Sequence, residues 1–201
     1  MMTDRESAVA EQIAFAAADT VLFFAPQPKE LVALQRKKWL PVIERVNGRG
    51  SNFTPATGLE VPVLDDRTRA YLKRRLDALD DDSFAAFCQA SGGLKSVILA
   101  LSVLDGDLTA DQAFDLAVLE ELFQNRFWKT DEDAVTAREN RKRAVGDAFN
   151  RIKGEKNNGG GNCSYPDTGT GSGRVLSSMD DERSARPRLV RLGQKPCRRF
   201  G

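Results

Sequence analysis

Histidine is absent from the 201 residues of this chain. That removes the usual general base of hydrolytic and acyl-transfer sites, and with it the histidine-bearing zinc centres. Cysteine is scarce: Cys88, Cys163 and Cys197 lie far apart and form no CxxC pair. Neither a four-cysteine metal site nor a paired disulfide framework follows from them, and a reducing compartment fits best. A dominant charge of one sign is also missing. Lys and Arg number 30 against 29 Asp and Glu, a net of +1, so the whole chain offers no electrostatic case for nucleic acid or a membrane surface. Long apolar runs are missing too. The most apolar, Val97 to Leu104, is far shorter than the roughly 20 residues a spanning helix needs. "MMTDRESAVAEQ" has neither the basic flank nor the apolar stretch of a signal peptide. The expectation is a soluble chain with no membrane insertion.

Other chemistry-bearing patterns fail on context. Gly169 to Gly173 reads "GTGSG" but lacks the Lys-Ser/Thr ending of a phosphate loop, with no strand before it or helix after it. Asp80-Asp81-Asp82 precede a helix, where acids favour the macrodipole, and a solvated turn accounts for them without a metal. No GxSxG elbow occurs, and Glu120 and Glu121 are adjacent, about 100° apart on a helix, so they do not form a carboxylate pair. The reading is non-enzymatic, with no metal and no cofactor.

What is present is helix. Thr3 and Glu6 have capping-box spacing and open a pattern through Val9, Ile13 and Ala17. Pro28 leads into Leu31, Leu34, Lys38, Val42 and Val46, with a kink expected at Pro41. Residues 47–58 are rich in Gly, Ser and Asn and read as a loop; "LEVPVL" after them reads as a short extended piece. Asp66 starts a helix through Tyr71, Leu72, Leu76 and Leu79. Ser83 is expected to cap the next, which Gly92-Gly93 should break. Leu94 to Leu104 is apolar nearly all round and predicts the central buried helix, stopped by Asp105-Gly106. Thr109 and Gln112 form a second capping box opening a helix through "LAVLEELFQ". A last helix runs from about Asp131 to Ile152, with Val145, Ala148, Phe149 and Ile152 on its apolar face.

Composition changes after residue 153. Residues 1–153 carry 21 basic and 24 acidic side chains, a net of −3; the remainder carries 9 and 5, a net of +4, with few aliphatic residues. Such a segment buries too little to offset its ordering entropy. The chain is therefore expected to be an all-α, bundle-like domain of about six helices over 1–153, followed by a disordered basic tail over 154–201.

One residue resists this pattern. On the wheel of the helix after Thr109, Leu116, Phe123 and Phe127 share a side with Ala113 and Ala117, and Glu120 falls inside that sector, with Gln124 a turn further on. A dry, unpaired carboxylate there costs several kcal/mol. Two explanations stay open. Glu120 pairs internally with an arginine of the last helix, such as Arg138 or Arg141. Or it is a contact residue on an exposed patch that also holds Phe123 and Phe127, as large exposed apolar patches usually mark an interaction surface.

The stretches "DTVLFFAPQPKELVALQRKKWLPVIERV" and "SGGLKSVILALSVLDGDLTADQAFDLAVLEELFQNRFW" resemble the helical C-terminal part of the Atp12 family of F1-ATPase assembly chaperones. The matching elements are Asp19-Thr20, the spacing from Gln35 through Trp39 to Pro41, the run from Ser96 to Trp128, and the basic helix around Arg138 and Arg141. Family members begin with a β-rich domain that has no counterpart here, and Trp128-Lys129-Thr130-Asp131 stands where they commonly have Trp-Gly-x-Asp. The resemblance implies a molecular chaperone that binds the F1 α subunit and shields its β-facing interface until β displaces it. It implies a monomer in the mitochondrial matrix or, alternatively, the bacterial cytoplasm. It places a functionally necessary acid at Glu120 and matches Trp39 and Trp128 to family aromatics, each of them core or surface; together with Phe123, Gln124 and Phe127 of the wheel they are the expected partner-binding residues. The alternative is a helical scaffold whose basic tail binds RNA or an anionic membrane.

Overall fold

A computed structural model describes residues 3–58, 62–126 and 132–158. The chain divides into two units, Met1–Asn162 and Cys163–Gly201, and every described residue belongs to the first. The order is α1 (Asp4–Ala17), a 3-10 turn (Thr20–Leu22), β1 (Phe23–Phe24), α2 (Lys29–Asn47), β2 (Ala56–Thr57), α3 (Asp66–Asp77), α4 (Asp81–Leu94), α5 (Val97–Leu104), α6 (Ala110–Ala117), α7 (Leu119–Gln124) and α8 (Glu132–Asn158). The two strands pair in parallel over two residues each and leave the architecture all-α.

Local chemistry sets most helix starts. Thr3–Glu6 and Thr109–Gln112 both close as capping boxes, and Asp65 and Asp80 each accept the amide hydrogen three residues on. The cap of α4 is thus Asp80 and not Ser83, whose own amide donates to the Asp80 carboxylate at 2.7 Å. In α2 the buried stripe is Leu31, Gln35, Trp39, Val42, Ile43 and Val46, while Lys38 is exposed and Leu34 only half-buried. The helix continues through Pro41, which is exposed. The described part of "LEVPVL", residues 62–64, is irregular, and the rest of it lies outside the described residues.

Gly92-Gly93 does not break α4. The helix passes through both, and an added Cβ at Gly93 would stand 2.5 Å from Cγ2 of Val145 in α8. Glycine there lets α8 lie close along α4, so packing overrides its low helix propensity. The buried face of α8 is Val145, Ala148, Phe149 and Ile152, as its period predicted. This helix runs on to Asn158, past the boundary expected at residue 153; the remainder of the expected tail lies outside the described residues. Among the described residues eight helices stand where about six were expected, partly because the helix after Thr109 is divided at Val118.

At the centre lies α5, with every residue from Val97 to Val103 buried. Its approach is strained: Lys95 takes the left-handed conformation, φ 52°, that glycine usually occupies. Two residues after α1 fix it. Thr20 donates its amide and its hydroxyl to the Lys95 carbonyl, at 3.1 and 2.8 Å. Asp19, fully buried, accepts from the amides of Val21 (3.2 Å) and Ile98 (2.9 Å), tying the chain after α1 to the first turn of α5. At the other end Gly106, φ 80°, follows the last turn. Beside it Asp105 and Asp107 bridge Arg75 of α3 and Arg49 after α2, an alternating set of charges that joins three segments.

Burial pushes the Asp19 carboxyl up from 3.8 to about 6, against the lowering pull of its hydrogen bonds from Ile98, Ser96 and Val21. Between those values the unfolded chain has released a proton that the native state keeps, so this group's contribution to stability falls as pH rises from about 4 to about 6. Asp19→Asn places an amide donor against a backbone donor and should cost roughly 1–3 kcal/mol near pH 4. That deficit should shrink by pH 7, by about 3 kcal/mol at most. Urea unfolding of both proteins at the two pH values measures it; a deficit that grows with pH would show that Asp19 is held as an anion.

Candidate functional site

The residues of interest gather where α2 meets α6 and α7. Along α2, Gln35, Trp39 and Val42 follow at helical spacing, and the first two are fully buried. The Trp39 ring meets Phe24 of β1 edge-on, centroids 5.7 Å apart at 85°. Its indole Nε1–H donates to the carbonyl of Leu116 at 3.0 Å.

That bond lies where the helix divides. In an unbroken helix the Leu116 carbonyl would receive the amide of Glu120, four residues on. Here it receives the indole and the cap amide of Val118, which leaves helical geometry at φ −101°, ψ 13°. The chain restarts as α7, with Glu120 and Glu121 in its first turn, where the helix dipole favours acids. A single wheel drawn from Leu116 to Phe127 therefore mixes two helices.

Glu120 ends half-buried, and its hydrogen-bond partner is Gln35, whose Nε2 donates to Glu120 Oε1. The orientation of that amide is determined by its neighbours. The Ala25 backbone N–H, 3.0 Å away, can only donate, so the Gln35 oxygen must face it and the NH₂ must face the carboxylate. Half-burial raises the Glu120 carboxyl above the ordinary glutamate range, and the Gln35 hydrogen bond offsets part of that rise.

The expected arginine pairing is corrected by the neighbouring acid. Arg138 and Arg141 of α8 reach Glu121, at 2.9 and 3.6 Å, and not Glu120. Arg141 also lies over the Phe114 ring, 5.3 Å from its centroid, with its Nε buried and without a hydrogen-bond partner. The sequence placed the two arginines near the acidic pair but assigned them the wrong member of it.

The open aromatic patch is also corrected. Phe123 is 8% exposed and Trp39 0%, so both belong to the core, the latter because its indole N–H finds a carbonyl inside. Gln124 is exposed, and Phe127 and Trp128 lie outside the described residues. The exposed apolar side chain of α7 is Leu122, at 41%, which sequence reasoning did not single out. Gln35 was missed as a site residue although its signal was present: a polar side chain in the stripe Leu31, Trp39, Val42 is the same anomaly as Glu120, and the two satisfy each other. Cys88 is half-buried and free.

The fold is shared with solved helical chaperone-type structures. Atp12 from Paracoccus denitrificans superposes with a TM-score of 0.70 at 24% identity, covering 73% of this chain and 64% of that one. Atu1473 of Agrobacterium tumefaciens, a candidate chaperone, gives 0.68 at 25% identity over 74% of this chain and 56% of its own. In sequence, mitochondrial atp12 of Schizosaccharomyces pombe is 26% identical over 145 residues, 65% of this chain and 47% of that protein. No family model matches. The chain is similar to Atp12 proteins and spans about half the length of the fission-yeast relative. None of these relatives bears an enzyme's name, in keeping with the non-enzymatic reading.

Replacing Gln35 by Leu removes the donor to Glu120 and the acceptor for the Ala25 amide. The Glu120 carboxyl should then titrate higher still than in the parent protein, and stability should fall by about 1–3 kcal/mol. Carbon-13 NMR titration of the glutamate carboxyls reads the first effect and urea unfolding the second.

Proposed function

We propose that this chain acts in assembly of the F1-ATPase as a chaperone: it binds the α subunit, covers the face that β later occupies, and yields when β arrives. Similarity to Atp12 proteins in sequence and fold supports the reading, and one observation carries it. Glu120 is a half-buried carboxylate whose partner is a neutral amide, while the neighbouring cations of α8 are taken by Glu121. An acid raised in pKa and left without a cation among the described residues is suited to meet a group from another polypeptide. Gln124 belongs to the same proposed contact, and so do Phe127 and Trp128, the latter matching a family aromatic. The place of action in this reading is the mitochondrial matrix or a bacterial cytoplasm, with the chain monomeric and no cofactor required. No described helix is long and apolar enough to cross a membrane. The scaffold alternative depends on the segment after residue 158, and nothing among the described residues favours it.

Glu120→Gln and Glu120→Lys should leave helicity near the parent value, because Glu120 is not part of the sealed core. Recovery of soluble α subunit on co-expression should fall, with Lys the more severe at roughly tenfold, equivalent to about 1.4 kcal/mol of binding. Full recovery with both variants rejects the role of Glu120.

A further inference from the structure

Beyond Glu120, α2 and α6 enclose an open groove of about 360 Å³. Its floor is aliphatic, from Val42, Leu108 and Leu116, and Val42 is 6% exposed. Its rim is basic: Lys37, Lys38 and Arg45 line it against one carboxylate, Asp115. That acid is also engaged elsewhere, since Asp115 acts on Lys142 of α8. Lys37 and Lys38 are exposed and enter none of the ion pairs of the described residues. Pro41, in the same wall, has no amide hydrogen for the Lys37 carbonyl, so a backbone acceptor is freed within the helix.

We propose that this groove seats an acidic segment of a client polypeptide, with aliphatic side chains on the floor and carboxylates on the two ends of the basic rim. The occupant's chemistry follows from the lining. Apolar side chains gain by covering Val42, Leu108 and Leu116, and a cationic segment would meet uncompensated lysines. The spacing follows from the helix. Lys38 and Arg45 are seven residues apart, about 10 Å along the axis, which matches two acids three positions apart in a polyproline II chain, whose three residues per turn put both on one face. The freed Lys37 carbonyl offers an acceptor for a main-chain N–H of that segment. The groove is joined to the Glu120 contact through Leu116, whose side chain lines it while its carbonyl holds Trp39.

This inference rests on the chaperone reading for the source of the segment, and its test is separate from that reading. The probe is a short fluorescein-labelled peptide with the central sequence Glu-Leu-Leu-Glu, followed by anisotropy against the full chain. It should bind at least about tenfold more tightly than the Gln-Leu-Leu-Gln and Lys-Leu-Leu-Lys peptides, and weaken with added salt. The double variant Lys38→Glu/Arg45→Glu, with unchanged circular dichroism, should lose the acidic peptide and gain the Lys-Leu-Leu-Lys one. Glu120→Lys should retain the acidic peptide even where it impairs recovery of α subunit. Equal binding of the three peptides, or an unchanged preference in the double variant, overturns the groove assignment and leaves the chaperone reading standing. A bound peptide with no recovery of α subunit by the parent chain does the reverse.

Discussion

The hydrogen bond from the Trp39 indole to the Leu116 carbonyl decides how the surface of this domain is arranged. A buried indole N–H needs an acceptor, and leaving it without one would cost about 1–3 kcal/mol. The Leu116 carbonyl meets that need at the point where the helix divides, at Val118. Everything after the break is turned relative to what came before. The turn brings Glu120 against Gln35 of α2, and it sends Glu121 toward Arg138 and Arg141 of α8. Two adjacent acids thereby acquire different environments, one neutral and half-buried, the other cationic and more exposed.

The acids contribute differently as well. Glu121, at 38% side-chain exposure, gains little from its arginines, since ion pairs in contact with water are worth at most about 1 kcal/mol. Their consequence is positional: they hold α7 to α8 and occupy cations that would otherwise be free to neutralise Glu120. The Gln35 amide contributes one hydrogen bond to Glu120 and no charge, so it satisfies the oxygen without lowering the carboxyl as far as an arginine would.

Much of the helical frame could be read from residues because its determinants are local. Thr3–Glu6 and Thr109–Gln112 announce helix starts through bonds spanning three residues, and the all-round apolarity of Val97 to Val103 announces a central helix. The failures occur where a distant group intervenes. Periodicity cannot register that Trp39 will capture a carbonyl 77 positions on, so residues 110–124 read as one helix. Local propensity makes Gly92-Gly93 a break, whereas the approach of Val145 makes Gly93 a packing residue. The stripe of α2 was phased through Lys38, whereas the folded helix buries Gln35, whose partner lies on another helix. The candidate site was legible at Glu120 as an anomaly of pattern; Gln35 and Leu122 emerged only once the two helices were placed together.

The same geometry gives α2 a polarity along its length. Gln35 meets the carboxylate of Glu120, and Lys38 through Arg45 present cations over the aliphatic groove. Gln35 and Val42 are seven residues apart, so the acidic and basic regions are centred about 10 Å from one another, near the Debye length at physiological salt. Charges at that separation act as two distinct features and do not average to neutral. A polypeptide laid along α2 in the reverse direction would set like charges together at both ends, which opposes the wrong register even where apolar contact is unchanged. The near-zero net charge of the whole chain therefore conceals a directional surface, created by one broken helix and by the choice of which acid the arginines reach.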